Sequence, residues 1–159
     1  MIKQIPCNLE DYEKKQIEQG YLCTAPVVRI RKSNEEYYMT YKSKRNVNQE
    51  IELAIINEEV EFPLTKEAYL HLRNKVDCNL IQKTRYNIPI ENGLKIELDV
   101  FDGKLKGLYF AEVEFPDEDA AKKFIIPDWF IKEVSFDERF RNSYLISINS
   151  FDELGLSLE

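Results

Sequence analysis

The sequence of 159 residues lacks any segment that would place it in or across a membrane. No apolar run reaches the roughly 18 residues of a transmembrane helix, and residues 1–6 contain no apolar core of a secretory signal. Internal repeats, low-complexity tracts and Pro-, Gly- or Ser-rich linkers are also missing. We therefore expect a single domain over residues 1–159, with a ragged tail from about residue 149.

Cysteine and histidine are scarce. Cys7, Cys23 and Cys78 are odd in number and widely spaced, which fits neither a disulfide framework nor a zinc site. We therefore expect reduced thiols in a cytoplasmic protein. The only histidine, His71, lies in a predicted helix, where a solvent-exposed position is more common than a metal-binding or general-base role.

The chain also lacks an excess of positive charge. It contains 22 Lys and Arg against 29 Asp and Glu, so its formal net charge is −7. Nucleic acids bind mainly to basic surfaces, and we therefore expect no nucleic-acid partner. The average charge does not exclude a basic pocket inside an acidic protein. Hydrophobic residues make up 43% of the chain and charged residues 32%, which is typical of a folded domain.

Short alternating runs rich in Val, Ile, Tyr and Phe predict an α+β fold that is mostly β. We expect strands at 20–24, 27–33, 36–43, 49–57, 79–88, 94–101 and 107–115. Turn residues such as Asn92-Gly93 and Asp102-Gly103 separate the later strands. The expected helices are 66–75, capped by Thr65; 118–125, opened by Asp117; and a helix from Ser135 to about 140, where Glu138 completes a capping box.

Charged residues stand at alternate positions in six of these strands: five strands carry a pair of one sign, and the strand at 36–43 carries Lys42. Side chains at positions i and i+2 lie on the same face of a strand. The cations are Arg29, Arg31, Lys42, Lys83 and Arg85, and the carboxylates are Glu50, Glu52, Glu97, Asp99, Glu112 and Glu114. A half-exposed sheet carries any charges on its wet face. Six strands with segregated signs instead favour a sheet whose charged faces point inward around a tunnel.

A tunnel of mixed charge suits a phosphate chain held together with a divalent metal. Arginine binds phosphoryl oxygens through two parallel hydrogen bonds, and carboxylates are preferred ligands of Mg²⁺ and Mn²⁺. Burying so many charges without a guest would be costly. We therefore expect a water-filled, ligand-binding cavity rather than a dry core.

The ordered set of motifs resembles the CYTH, or triphosphate tunnel metalloenzyme, superfamily over nearly the whole chain. The motifs are Gln19-Gly20-Tyr21-Leu22, Val28-Arg29-Ile30-Arg31, Tyr38-Met39-Thr40-Tyr41-Lys42-Ser43, Glu50-Ile51-Glu52, Lys83-Thr84-Arg85-Tyr86, Glu97-Leu98-Asp99-Val100-Phe101, Glu112-Val113-Glu114-Phe115, Glu133-Val134 and Arg139-Phe140-Arg141-Asn142. They are most similar to the bacterial branch that hydrolyses inorganic tripolyphosphate. The resemblance implies an antiparallel β-barrel tunnel of eight strands with a few flanking helices.

The resemblance also implies roles for individual residues. Phosphate contacts would come from Arg29, Arg31, Lys42, Lys83, Arg85, Arg139 and Arg141. Mg²⁺ or Mn²⁺ would be bound by Glu112 and Glu114 and by the deeper pair Glu50 and Glu52. Of these carboxylates, Glu52 and Glu114 would serve catalysis, with Glu52 positioning the water that attacks a terminal phosphorus in line.

One feature of the family is missing from the sequence. The family opens with a strand that bears an E-x-E-x-K motif, whose two glutamates bind metal together with the late pair. The match here begins at Ile2-Lys3-Gln4-Ile5-Pro6. We therefore expect an incomplete metal site, weak catalysis with partly retained phosphate binding, and an open barrel seam at which the chain forms a homodimer.

Three alternatives to a tripolyphosphatase stay open. A class IV-type adenylate cyclase uses the same tunnel for ATP, although the sequence shows no clear adenine pocket. A thiamine triphosphatase has only weak support in Trp129, for which a packing role is more common. From a different class, the missing motif favours a non-catalytic protein that binds polyphosphate or nucleotides.

Overall fold

The computed structural model of the protein describes residues 1, 8–46 and 55–155. Its strands are β1 (Glu13–Thr24), β2 (Val27–Ser33), β3 (Glu36–Asn46), β4 (Ile55–Pro63), β5 (Asp77–Pro89), β6 (Lys95–Phe101) and β7 (Tyr109–Val113). They form one antiparallel sheet in the order β4-β3-β2-β1-β5-β6-β7. The α-helices of the described residues are α1 (Lys66–Arg73), α2 (Glu118–Lys123) and α3 (Asn142–Leu145).

The predicted α+β fold, mostly antiparallel β, is confirmed. Within the described residues, β4 and β7 are the edges of the sheet and do not pair with each other, so the word barrel applies only loosely. β1 is much longer than the expected strand 20–24, because the polar stretch before Gln19 hides the alternation. The expected strand 49–57 lies mostly outside the described residues, and β4 continues to Pro63.

Local signals explain several connections. Thr65 caps α1 as predicted, since its hydroxyl accepts a hydrogen bond from the Ala68 amide at 3.2 Å. Asn34 forms the turn between β2 and β3 at φ 52°, a region that Asn tolerates. Its side-chain Oδ1 also accepts a hydrogen bond from the Gln16 amide at 2.9 Å, which ties this turn to β1.

Gly20 allows a close approach behind the central strand. A Cβ atom at this position would lie 2.5 Å from Val76 Cγ1 and 2.9 Å from Leu80 Cδ2. Such distances are too short for real contacts, so a larger residue would displace the start of β5 from β1. Glycine is required here by packing on the outer face of the sheet.

The C-terminal segment fills one end of the inner sheet face. Phe101 and Phe110 on β6 and β7 pack against Phe140, Leu145 and Leu154 in one apolar cluster. Residues after Ile148, expected as a ragged tail, instead include a 3₁₀ turn at Phe151–Leu154 whose Leu154 is only 1% exposed. The sequence does not show that these distant apolar residues meet, and the expectation of a tail there was wrong up to residue 154.

The helix expected from Ser135 to about 140 is shorter than predicted. A 3₁₀ turn covers Glu138–Phe140, and its cap is Asp137, whose carboxylate accepts a hydrogen bond from the Arg139 amide. The expected capping box at Ser135 is therefore wrong.

The outer face of β5–β7 carries a second apolar cluster against which Trp129 packs, in agreement with a packing role for that residue.

Glu18 fastens α1 to the outer face of β1. Its carboxylate accepts hydrogen bonds from Arg73 Nε at 2.6 Å and Nη2 at 2.9 Å, from the Tyr69 hydroxyl at 2.9 Å and from Gln82 Nε2 at 3.0 Å. These bonds, led by those of Arg73, lower the pKa of Glu18 to about 2.

Among the helices of the described residues, none combines the length and the apolar composition that a membrane span requires.

Replacing Glu18 by Gln should lower the free energy of unfolding by about 1.5–3 kcal/mol at pH 7, the usual contribution of hydrogen bonds to a charged group. A carboxyl with a lowered pKa stabilises the fold above its ordinary pKa, and this contribution is lost as the pH falls through about 2. Urea unfolding at several pH values should show the difference between wild type and E18Q shrinking from pH 5 downward. Glu35→Gln, at a side chain that is 86% exposed, is the matched control and should change little. Equal losses for both variants would contradict the assigned role of Glu18.

Candidate functional site

The strand register places the predicted charged residues on one face of the sheet. Directly paired residues of an antiparallel sheet point their side chains to the same side. The relevant pairs are Tyr21 with Arg29, Gln19 with Arg31, Arg29 with Thr40, Arg31 with Tyr38, Lys42 with Glu59, Arg85 with Asp99, and Glu97 with Glu112. This inner face is the candidate site.

The part of the inner face on β5 and β6 is neutralised by internal ion pairs. Lys83 Nζ donates to Asp99 Oδ2 at 2.5 Å, and both side chains are only 2% exposed. Arg85 donates from Nε and Nη2 to the two oxygens of Asp99 at 2.6 and 2.7 Å. Arg85 also contacts Glu97, and its Nη2 lies 3.3 Å from Glu112 Oε2. Lys95 Nζ also donates to Glu97 Oε1 at 2.5 Å, so three cations and three carboxylates form one connected network.

Burial and pairing act in opposite directions on the pKa values of this network. Burial lowers the pKa of Lys83, although the charge of Asp99 offsets part of this effect. Burial raises the pKa of Asp99, but its hydrogen bonds with Arg85 and Lys83 outweigh burial and bring that pKa below its usual value. The geometry therefore favours the ionised form of Asp99, and the charge of Asp99 in turn favours the charged form of the buried Lys83.

Arg29 and Arg31 on β2 carry positive charge on the inner face and have neutral partners on β3 and β1. Arg29 Nη2 donates to Thr40 Oγ1 at 3.2 Å, and Arg31 Nη2 donates to Gln19 Oε1 at 3.2 Å. Burial and the nearby charges of Arg29 and Arg85 lower the pKa of Arg31. Tyr21 is buried beside Arg29, and burial raises the pKa of its hydroxyl. This half of the site can bind an anion.

Two carboxylates on β4 belong to the same face but were missed in the sequence. Lys42 Nζ donates to Glu59 Oε2 at 3.1 Å, and Thr40 Oγ1 donates to Glu61 Oε2 at 3.2 Å. The alternation of Glu59-Val60-Glu61-Phe62 was the available signal, but the expected strand ended at residue 57. Glu50 and Glu52 lie outside the described residues, so their metal-binding and catalytic roles stay predictions.

The two arginines near the C-terminus make contacts within their own segment. Arg139 Nη2 lies 2.7 Å from Asp137 Oδ2, and its Nη1 donates to the Leu154 carbonyl at 3.1 Å. Arg141 pairs with Glu138 at 3.0 Å in an exposed position. These contacts fasten the segment that fills one end of the inner face. Phosphate binding by either arginine stays a prediction.

The late acidic pair lies at the edge of the sheet. Glu112 on β7 stands directly opposite Glu97 on β6, and Glu114 follows β7. Both Glu112 and Glu114 are exposed, and their carboxylate oxygens suit a hard divalent cation. Among residues 1, 8–46 and 55–155, no three His, Cys, Asp or Glu side chains are grouped closely enough to hold a metal.

His71 lies exposed in the last turn of α1.

Replacing Asp99 by Asn should lower the free energy of unfolding by about 3–5 kcal/mol, because Lys83 would stay buried without a counter-charge. The pKa of Lys83 should then fall further. A base with a lowered pKa destabilises the fold at low pH, and this destabilisation diminishes as the pH rises toward the ordinary pKa of the base. Urea unfolding from pH 7 to pH 10 should therefore show a shrinking loss for D99N. Asp102→Asn, at an exposed aspartate just after β6, is the control and should be nearly neutral. Adding Lys83→Met to D99N should recover much of the loss, and failure to do so would show that the ion pair is not its cause.

Known proteins are similar to this chain over most of its length. The CYTH domain model matches residues 8–141. The chain is 37% identical over 135 residues to an inorganic triphosphatase of Nitrosomonas europaea, covering 81% of this chain and 82% of that protein. It is 35% identical over 125 residues to an inorganic triphosphatase of Acetivibrio thermocellus, covering 75% and 70%.

A solved structure supports the same relationship. The fold matches the crystal structure of an inorganic triphosphatase with a TM-score of 0.71 and 32% sequence identity, over 94% of this chain and 91% of that one. The family model spans all seven strands of the sheet, from β1 to β7. The chain belongs to the CYTH domain family.

Proposed function

We propose that this protein is a divalent-metal-dependent hydrolase of inorganic triphosphate. The observation that carries the proposal is that Arg29 and Arg31 have only neutral partners on one half of the inner face, whereas the other half is an ion-paired network rich in carboxylates. An extended anion matches the first half, and a cation bound to that anion matches the second. The relatives named inorganic triphosphatase support the same substrate class.

The basic residues bind and orient the phosphate chain. Arg29 and Arg31 offer guanidinium groups whose partners are the neutral side chains Thr40 and Gln19, so they can turn to phosphoryl oxygens without giving up an ion pair. Lys83 and Arg85 stand farther along the same face, held by Asp99. Lys42 is a further phosphate ligand. Arg139 and Arg141 are phosphate ligands as well if the bound phosphate chain extends toward the C-terminal segment.

The acidic residues would hold the metal. Glu112 and Glu114 are the described candidates, with Glu97 opposite Glu112, and Glu50 and Glu52 complete the proposed set. An all-carboxylate donor set fits Mg²⁺ or Mn²⁺. When bound, such an ion neutralises phosphate charge and lowers the pKa of its water. We assign Glu52 and Glu114 to catalysis, with Glu52 positioning the attacking water in line with a terminal phosphorus.

Other substrates of the same class stay part of the proposal as alternatives. ATP, for a cyclase of class IV type, and thiamine triphosphate present the same phosphate chain. Trp129 packs in the outer apolar cluster, which does not favour a thiamine site at that residue. A non-catalytic binder of polyphosphate or nucleotides is favoured by one observation, the absence of a three-ligand acidic cluster among the described residues.

Assembly and location complete the proposal. Strands β4 and β7 leave one edge each without a strand partner among the described residues, and an unpaired edge invites strand addition from a second copy. We therefore propose a homodimer. We place it in the cytoplasm, in keeping with the free thiols of Cys23 and Cys78.

Phosphate release from tripolyphosphate, ATP and thiamine triphosphate should be measured with Mg²⁺, with Mn²⁺ and with EDTA. We expect metal-dependent release from tripolyphosphate above the other two substrates. Arg31→Ala should lower kcat/KM by about 10²–10³-fold, the usual effect of removing one group that stabilises developing charge. Lys32→Ala is the matched control, because this neighbouring cation points to the outer face and should leave kcat/KM within about twofold.

The assay should also be run on the chain extended at its amino terminus by the family's E-x-E-x-K strand. In the family this motif supplies two metal-binding glutamates, so this arm tests whether metal-dependent phosphate release requires the motif. If neither form releases phosphate from any of the three substrates while both bind tripolyphosphate, the hydrolase proposal fails and the binder becomes the better explanation.

A further inference from the structure

Gln19 is a fully buried polar residue at the centre of the inner face. It is 0% exposed and lies on β1, the middle strand of the sheet, opposite Arg31 on β2 and Ile81 on β5. A buried amide costs folding free energy unless its donors and acceptors are satisfied. A hydrophobic residue would fill this position at lower cost, so the amide needs an explanation.

One end of the Gln19 amide has a partner. Its Oε1 accepts a hydrogen bond from Arg31 Nη2 at 3.2 Å. A guanidinium group only donates hydrogen bonds, so the oxygen of the amide must face Arg31 and the NH₂ group must face away from it. The orientation of the amide is therefore determined by chemistry and not by a choice between two equivalent positions.

The other end of the amide has no acceptor. Gln19 Nε2 is enclosed and makes no hydrogen bond, and the same holds for the Nε atoms of Arg29 and Arg31. The three donors lie on the paired strands β1 and β2, on the same face of the sheet. Three enclosed donors on adjacent strands thus lack an acceptor, and the inner face is the side of the sheet on which these side chains lie.

The missing acceptor carries negative charge. In the described part of the chain, neither Arg29 nor Arg31 has a carboxylate within ion-pair distance, whereas Lys83 and Arg85 have three between them. Glu61 is linked to Arg29 only through the hydroxyl of Thr40. Two partly buried guanidinium groups side by side repel each other, and an anion between them removes that repulsion.

We propose that Gln19, Arg29 and Arg31 form a seat that holds one phosphoryl group of the substrate without a metal ion, with the Gln19 amide as a direct ligand. This inference rests on the proposed function for its substrate class, but not on catalysis. Gln19 has two tasks: its carbonyl positions Arg31, and its NH₂ group donates to a phosphoryl oxygen. The described candidates for metal binding, Glu112 and Glu114, lie at and just after β7, away from β1 and β2, so we expect the seat to bind a phosphoryl group without them.

Tripolyphosphate binding in EDTA should be measured by titration calorimetry, with pyrophosphate and inorganic phosphate as shorter probes. Wild type should bind tripolyphosphate without metal. Gln19→Leu removes both hydrogen bonds at similar volume and should raise Kd by about 10–100-fold, as expected for hydrogen bonds to a charged group. Gln19→Glu should raise Kd by more than about 100-fold, because its carboxylate pairs with Arg31 and repels the anion.

Gln16→Leu is the matched control. Gln16 lies three residues earlier on β1, is exposed and points to the outer face, so its replacement should leave Kd unchanged. Thermal unfolding of each variant without ligand reports whether the fold is intact. Because Gln19→Leu introduces no charge, it tests the seat even if the Glu variant unfolds.

A direct readout is the side-chain amide signal of Gln19 in a ¹H–¹⁵N spectrum, assigned by its absence in Gln19→Leu. It should move downfield when tripolyphosphate is added in EDTA, and the signal of Gln16 should not. A purely structural Gln19 would show no such shift.

The outcomes separate the inference from the proposed function. Unchanged Kd in both Gln19 variants, no shift of the amide signal, or no binding in EDTA would each overturn the seat, whatever the activity with metal. Gln19-dependent binding in a protein that hydrolyses none of the substrates would support the seat and overturn the hydrolase. Binding of inorganic phosphate alone, with no gain for the longer anions, would contradict a seat that belongs to a phosphate-chain substrate.

Discussion

Charge buried on the inner face must be neutralised, and the network of Lys83, Asp99 and Arg85 meets this requirement. The pairing of β5 with β6 brings Arg85 opposite Asp99. A slip of one residue would turn these charges to the apolar outer face and turn Leu98 and Val100 inward. The electrostatic network and the hydrophobic pattern therefore specify the same register, and the position of every other inner-face residue follows from it.

The apolar end of the inner face strengthens these electrostatic interactions. Lys83 Nζ lies 5.3 Å from the centre of the Phe101 ring, and Phe101 in turn packs on Phe110 and the C-terminal segment. Apolar side chains exclude water from this end, and charges interact more strongly where water is excluded. The contacts of Arg139 with Asp137 and Leu154 thus act on the site through packing.

The sequence predicts which residues share a face more reliably than which residues meet. Alternation alone placed Arg29 with Arg31 and Lys83 with Arg85, because the period of a strand is a local property. The pairing of Arg31 with Gln19 depends on register between strands, which no local pattern reveals. The burial of Leu154 depends on contacts with residues far along the chain, and Glu59 and Glu61 were missed because a strand end was placed too early.

The lack of a side chain at Gly20 limits how this site can vary. Gly20 stands between Gln19 and Tyr21, and its outer side is filled by Val76 and Leu80. Any larger residue would push β1 toward the inner face or push β5 away, and either movement would shift both neighbours relative to Arg29 and Arg31. The inner face can therefore be diversified by exchanging the side chains that line it, whereas the backbone that carries them has almost no freedom to move. Attempts to redesign its selectivity would have to treat the central strand as a fixed frame.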